Sequence, residues 1–122
     1  MWIIDDDPIY VFTVSQAIAI GGFQMETEVF GDGLQAIDAM RQVKSGSRKA
    51  PDIVLIDLNM PIWDGWDFME EFANLQCDLN TAFYVVSSSD HPDDVRRAEN
   101  FSFVKKFILK PITIEKLQGI DQ

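Results

Sequence analysis

Pro51–Gly65 reads PDIVLIDLNMPIWDG. Ile53, Val54, Leu55 and Ile56 form an apolar, mostly β-branched run, and Asp57 ends it with a charge. Met60-Pro61 and Asp64-Gly65 then break regular structure and restart it. A run of this length between turn signals reads as a strand buried on both faces. A carboxylate at the end of such a strand sits where open α/β sheets gather their ligands. The fold therefore turns on which other residues converge on Asp57.

Toward the N-terminus, Trp2-Ile3-Ile4 is a second short apolar run, ending in Asp5-Asp6. Asp7-Pro8 reads as a helix start, with Asp as N-cap and Pro at the first helical position. Val11, Val14 and Ile18 fall on one helical stripe, which Gly21-Gly22 ends. Phe23 to Phe30 reads as a strand, with Met25, Thr27 and Val29 alternating against Glu26 and Glu28. A turn at Gly31-Asp32-Gly33 leads to a helix whose apolar face is Ala36, Ile37, Met40 and Val43.

Toward the C-terminus, a helix begins near Asp64-Gly65 and turns Phe68, Phe72 and Leu75 to the core. Ala82 to Val86 is a strand ending in Ser87-Ser88-Ser89. Pro92 opens a helix whose apolar face is only Val95 and Ala98, a stripe that predicts low local stability. Phe107-Ile108-Leu109 is the last strand, ending in Lys110-Pro111, where the proline fixes a turn. Ile114 and Leu117 belong to a short final helix with Thr113 as N-cap. Strand and helix alternate five times, which predicts a parallel sheet covered by helices on both faces.

Composition narrows the function. The 122 residues fit one domain, expected over 1–122, and 47% hydrophobic content supports a packed core. Ten basic against twenty acidic residues leave a net charge of −10, which argues against nucleic acid or an anionic membrane as partner. Cys77 is the only cysteine, so neither an internal disulfide nor a cysteine-based metal cluster is available. The start carries no signal-peptide pattern and no apolar run approaches a membrane span. A soluble cytoplasmic protein is expected. The first strand begins at residue 1 or 2 with no lead-in, as it would if residues were missing from this end.

In a parallel sheet the strand ends share one edge. The first strand ends in Asp5-Asp6, the third in Asp57, the fourth in Ser87 and the fifth in Lys110. Carboxylates, a hydroxyl and an ammonium gathered together suit the holding of a divalent cation beside a phosphoryl group. Carboxylate oxygens suit Mg²⁺, Lys110 adds a point charge, and Ser87 offers a hydrogen-bond donor. Asp57 is placed as a nucleophile, since carboxylates form aspartyl-phosphates.

These residues, in this order and spacing, resemble the receiver domain of two-component response regulators. The likeness runs from Ile3 to about Leu117 and rests on Asp5-Asp6, Asp57, Met60-Pro61, Asp64-Gly65, Ser87 and Lys110-Pro111. The resemblance implies a flavodoxin-like (βα)5 fold with strand order 2-1-3-4-5. It implies that Asp57 accepts a phosphoryl group from a sensor histidine kinase or a histidine phosphotransfer protein. It implies Mg²⁺ (or Mn²⁺) on the side chains of Asp6 and Asp57 and the backbone carbonyl of Asn59, with Asp5 holding the cation through water. Ser87 is then the switch hydroxyl, and Lys110 pairs with the phosphoryl and with Asp57 beforehand. Phe107 falls at the aromatic switch position, and Asn59 and Ser89 fall where the family tunes phosphate lifetime. The signal is expected to leave through the fourth helix, fifth strand and fifth helix, to another protein or a second copy. Ser87 and Phe107 stand where threonine and tyrosine are commoner, and Trp63 stands where a smaller apolar residue is frequent.

Each piece alone has a plainer reading. Asp5-Asp6-Asp7 is a helix entry, Asp64-Gly65 a turn and cap, Ser87-Ser88-Ser89 a polar loop, and Lys110-Pro111 a strand exit. His91 has no assigned role, Cys77 reads as a packing residue, and Phe101 and Phe103 read as core. The rival functions are weaker. A phosphorylation-independent interaction module would not need the full acidic pair, Asp57, hydroxyl and lysine. A phosphohydrolase needs an acid/base carboxylate two residues after the nucleophile, where Asn59 stands. A flavin protein needs a hydroxyl- and glycine-rich loop after the first strand, where this chain is acidic. An enzyme in the ordinary sense is not expected.

Overall fold

The computed structural model describes residues 1–121; Gln122, the last residue of the expected domain, lies outside them. Five strands alternate with five helices: β1 (Trp2–Ile4), α1 (Pro8–Ile20), β2 (Glu28–Phe30), α2 (Gly33–Lys44), β3 (Ile53–Asp57), α3 (Gly65–Leu75), β4 (Ala82–Ser87), α4 (Pro92–Glu99), β5 (Val104–Leu109) and α5 (Ile114–Asp121). All pairings are parallel and the strand order is β2-β1-β3-β4-β5. The alternation predicts this parallel sheet covered on both faces, and the resemblance implies its flavodoxin-like strand order.

Strand pleating divides the core in two. Trp2, Ile4, Val54, Ile56, Phe83 and Val85 point to the face covered by α2, α3 and Ala98 of α4. Ile3, Leu55, Tyr84, Val86 and Ile108 point to the opposite face, covered by α1 and α5. Each fully buried side chain of this size contributes roughly 1.5–3 kcal/mol, so β3, buried on both faces, anchors the sheet. Phe101 and Phe103 join the first core: Phe103 meets Phe72 and Phe83 edge-on, with ring centroids 4.8 and 5.1 Å apart. Cys77 packs at its margin.

Local caps follow the sequence. Asp7 accepts the Ile9 N–H, Asp32 accepts the Gln35 N–H, and Asp64 forms a reciprocal capping box with Asp67. Thr113 accepts the Lys116 N–H at 3.2 Å. His91, which has no role in the sequence reading, caps α4, its Nδ1 accepting the Asp93 N–H at 3.2 Å.

Two strand boundaries and one helix stripe differ from expectation. The second strand begins at Glu28, not Phe23, because this edge strand has only β1 to pair with and β1 offers three residues. Phe23 and Met25 are instead half-buried against the second core. β5 begins at Val104, earlier than Phe107; its exposed Lys105 and Lys106 conceal an edge strand. The buried stripe of α1 is Tyr10, Val14 and Ile18, with Val11 only partly covered.

Candidate functional site

The carboxyl edge of the sheet gathers the strand-end residues. Asp5 leaves β1 with its backbone N–H donated to the Phe30 carbonyl at 3.0 Å. The residue is 2% exposed. Oδ1 accepts the Asp7 N–H at 2.9 Å and Oδ2 accepts from Lys110 Nζ at 2.9 Å. Asp57 ends β3 at 8% exposure, with Oδ1 3.5 Å from the same ammonium. The lysine hydrogen bond thus goes to Asp5, with Asp57 as the second ionic partner. Asp6 is exposed beside them. Asp5, Asp6 and Asp57 each offer a carboxylate oxygen within 4.8 Å of the others.

The lysine is fixed from the backbone as well. The Lys110 N–H donates to the Ser87 carbonyl at 2.8 Å, so the ends of β4 and β5 are tied together. The Lys110-Pro111 peptide bond is cis. Ser87 is 2% exposed, and its Oγ accepts the Ser89 N–H at 3.2 Å. Phe107 is half-buried against the first core and borders an open groove with Asp90, Val95 and Glu99. Asn59 is exposed on the loop that follows Asp57.

That loop is held tightly. The Gly65 N–H donates to the Leu58 carbonyl at 3.1 Å, and the Gly33 N–H donates to the Trp63 carbonyl at 2.7 Å. A Cβ on Gly65 would lie 2.3 Å from the Asp57 carbonyl oxygen, so only glycine allows this approach. Sequence reading took Gly65 for a turn residue. Its packing against the strand end was not visible there, because the contact depends on how the loop folds back.

Burial sets the electrostatics. Desolvation, and then repulsion from Asp5, pushes the Asp57 carboxyl up to about 6, against the opposing pull of Lys110. Burial likewise raises the Asp5 carboxyl, although the Asp7 N–H and Lys110 counter it. Burial pulls the Lys110 ammonium down, but the Asp5 hydrogen bond and both carboxylates outweigh it and its pKa is raised. More carboxylate is packed together here than one ammonium neutralises. Such a site favours a second cation, and its all-oxygen donor set suits a hard divalent ion.

Among sequence-predicted residues, Asp5, Asp6, Asp57 and Lys110 come together at this edge, with Ser87 tied to Lys110 through the backbone. Phe107 stands apart, on the β5 side of the groove. Sequence reading missed Tyr10, whose ring lies 4.1 Å from the Lys110 ammonium. The available signal was its place on the inner stripe of α1 with Val14 and Ile18.

Comparison with known proteins agrees with this fold. The family described as "Response regulator receiver domain" matches residues 1–120. The chain is 28% identical over 116 residues to the probable methanogenesis regulatory protein FilR2 of Methanothrix harundinacea, covering 95% of this chain and 74% of that protein. It is 24% identical over 115 residues to the transcriptional regulatory protein PrrA of Mycobacterium tuberculosis, covering 94% of this chain but only 45% of PrrA. A crystal structure of a two-component response regulator from Cytophaga hutchinsonii superposes with a TM-score of 0.87 at 28% identity, covering 98% of this chain and 91% of that one. Receiver domains of this family are signalling switches rather than enzymes in the ordinary sense. The chain belongs to the response regulator receiver domain family.

Among the described residues, no helix is long and apolar enough to cross a membrane. Receiver domains of this family bind Mg²⁺ at an acidic pocket and partner with histidine kinases or phosphotransfer proteins.

Proposed function

We propose that this chain is a phosphorylation-activated switch that accepts a phosphoryl group on Asp57. The observation that carries the reading is the buried Asp57 carboxylate at the junction of Lys110 and two further acids. Near neutral pH a carboxyl with a pKa of about 6 is mostly ionised and available as a nucleophile. An oxygen of Asp57 attacks phosphorus, and the phosphorus–nitrogen bond to a donor histidine breaks. The imidazole leaves and takes a proton from solvent. Lys110 lies within reach of the added charge, and Ser87 can turn its hydroxyl from the Ser89 N–H toward a phosphoryl oxygen.

Asp6 and Asp57, with the Asn59 carbonyl, would hold Mg²⁺ or Mn²⁺, and Asp5 would act through water. The cation supplies neutralisation of the incoming phosphoryl charge. Both Asp5 oxygens already accept hydrogen bonds, from the Asp7 N–H and Lys110 Nζ, while Asp6 is exposed, which supports this division.

Output leaves through α4, β5 and α5, to a downstream protein or a second copy. A phosphoryl group that draws Ser87 and Lys110 inward pulls on the joined ends of β4 and β5, and Phe107 repacks into the groove beside α4. A cytoplasmic location fits a chain with one cysteine and no membrane-spanning helix among the described residues. Neither nucleic acid nor membrane is a fitting direct partner for a domain of charge −10.

Asp57→Asn tests the assignment. With Mg²⁺ and acetyl phosphate, the wild-type chain gains one phosphoryl group and the variant gains none, read by intact-protein mass spectrometry. Undiminished labelling of the variant refutes the reading.

A further inference from the structure

Lys110 meets a third group besides the two carboxylates. Its ammonium lies 4.1 Å from the centroid of the Tyr10 ring. Tyr10 is 8% exposed and belongs to the same core cluster as Leu55 and Val86, whose strands end in Asp57 and Ser87. The ring is therefore held by the strands that present the site.

The tyrosine hydroxyl does not account for the residue. It is buried and has no hydrogen-bond partner among the described residues, which costs stability. The face of the ring, by contrast, is in use. An ammonium removed from water is attracted to an aromatic face, and the Lys110 side chain is only 18% exposed. Lysine carries its charge on a flexible four-carbon stem and needs several contacts to hold one position. Here Asp5 lies at 2.9 Å and Asp57 at 3.5 Å, with the ring as the third contact.

We propose that Tyr10 is a positioning residue for Lys110, its ring face holding the ammonium at the junction of the Asp5 and Asp57 carboxylates. The kinetic consequence rests on Asp57 being the phosphoacceptor; the placement of the lysine does not. When a phosphoryl group arrives at Asp57, Lys110 is already at hand. Without the ring, the ammonium samples other positions and meets the phosphoryl group less often.

Two substitutions separate ring from hydroxyl. Tyr10→Phe keeps the aromatic face and removes the orphaned hydroxyl; Tyr10→Leu removes the ring. The first readout is NMR of the Lys110 Cε protons, which a ring current shifts upfield. The shift is expected in wild type and Tyr10→Phe and is lost in Tyr10→Leu. A Lys110 signal at its ordinary position in wild type overturns the proposal, even where the leucine variant does not fold.

The second readout is the rate of phosphorylation by acetyl phosphate with Mg²⁺. Tyr10→Phe is expected within about twofold of wild type, and Tyr10→Leu about fivefold slower. That slowing should vanish when Lys110 is also replaced by Met. An equal slowing in the Lys110→Met background means that Tyr10 acts through packing alone and overturns the proposal. If wild type takes up no phosphoryl group, the receiver reading of Asp57 fails, and the ring-current shift still decides the positioning of Lys110.

Discussion

The carboxyl edge and the proposed output face are built differently. At the carboxyl edge, Asp5, Asp57 and Ser87 are nearly inaccessible, and Lys110 is bound from its side chain and its backbone. The loop after β3 folds back so closely that Gly65 touches the Asp57 carbonyl region. Across the β4–β5 pair, α4 has eight residues, of which only Ala98 is buried. Surface contacts help to hold it: Arg97 lies 4.2 Å from the Trp66 ring centroid and 3.2 Å from the Glu70 carboxylate. On the proposed reading, this difference is what lets a small charge change have a large readout. The site has little freedom to absorb a new phosphoryl group, while the α4 face has few buried contacts to lose when it moves.

The most severe test of the rigid end is Gly65→Ala. Its Cβ would meet the Asp57 carbonyl oxygen at 2.3 Å and the Leu58 Cα at 3.0 Å, both backbone atoms with little room to yield. A loss of about 2–3 kcal/mol is expected in urea unfolding, at the upper end of overpacking effects. A neutral substitution would mean that the loop is softer than its contacts indicate.

Asp57 sharpens the same point through pH. Its carboxyl titrates at about 6 in the folded chain, against about 4 when unfolded. Between these values the folded chain holds the proton more firmly, so this group's contribution to stability falls as pH rises from about 4 through 6. The loss is on the order of 2–3 kcal/mol. Without metal, Asp57→Asn should therefore be more stable than wild type at pH 7 by on the order of 2 kcal/mol. The gap should shrink at pH 4. Equal stability at pH 7 in urea with chelator present would show that the site does not carry this electrostatic load.

The smallest effect belongs to the loose end. Arg97→Ala removes an exposed cation–π contact and an ion pair, together worth about 0.5–1 kcal/mol. Global stability should change little, while amide exchange within α4 should quicken. Unchanged exchange there would mean that Arg97 does not help to fasten the helix.

The sequence made the sheet legible because β3 is apolar on both faces and because each inner strand ends at a charge or hydroxyl. Asp5, Asp57, Ser87 and Lys110 stand at strand ends, so parallel topology alone places them on one edge. The start of β2 was hidden because Met25, Thr27 and Val29 alternate as a strand does, although β1 is too short to pair with them. The contacts of Tyr10 with Lys110 and of Trp66 with Arg97 were also hidden. Each joins elements distant in sequence through side-chain direction, which periodicity does not reveal.

The central claim is that charge added at the rigid edge is read out at the loosely held face. Hydrogen exchange by mass spectrometry, with Mg²⁺ present and with or without acetyl phosphate, tests it directly. The account predicts altered exchange across residues 87–109, covering α4 and β5, with the buried β1 and β3 unchanged. Stoichiometric phosphorylation of Asp57 with no change over 87–109 would contradict it.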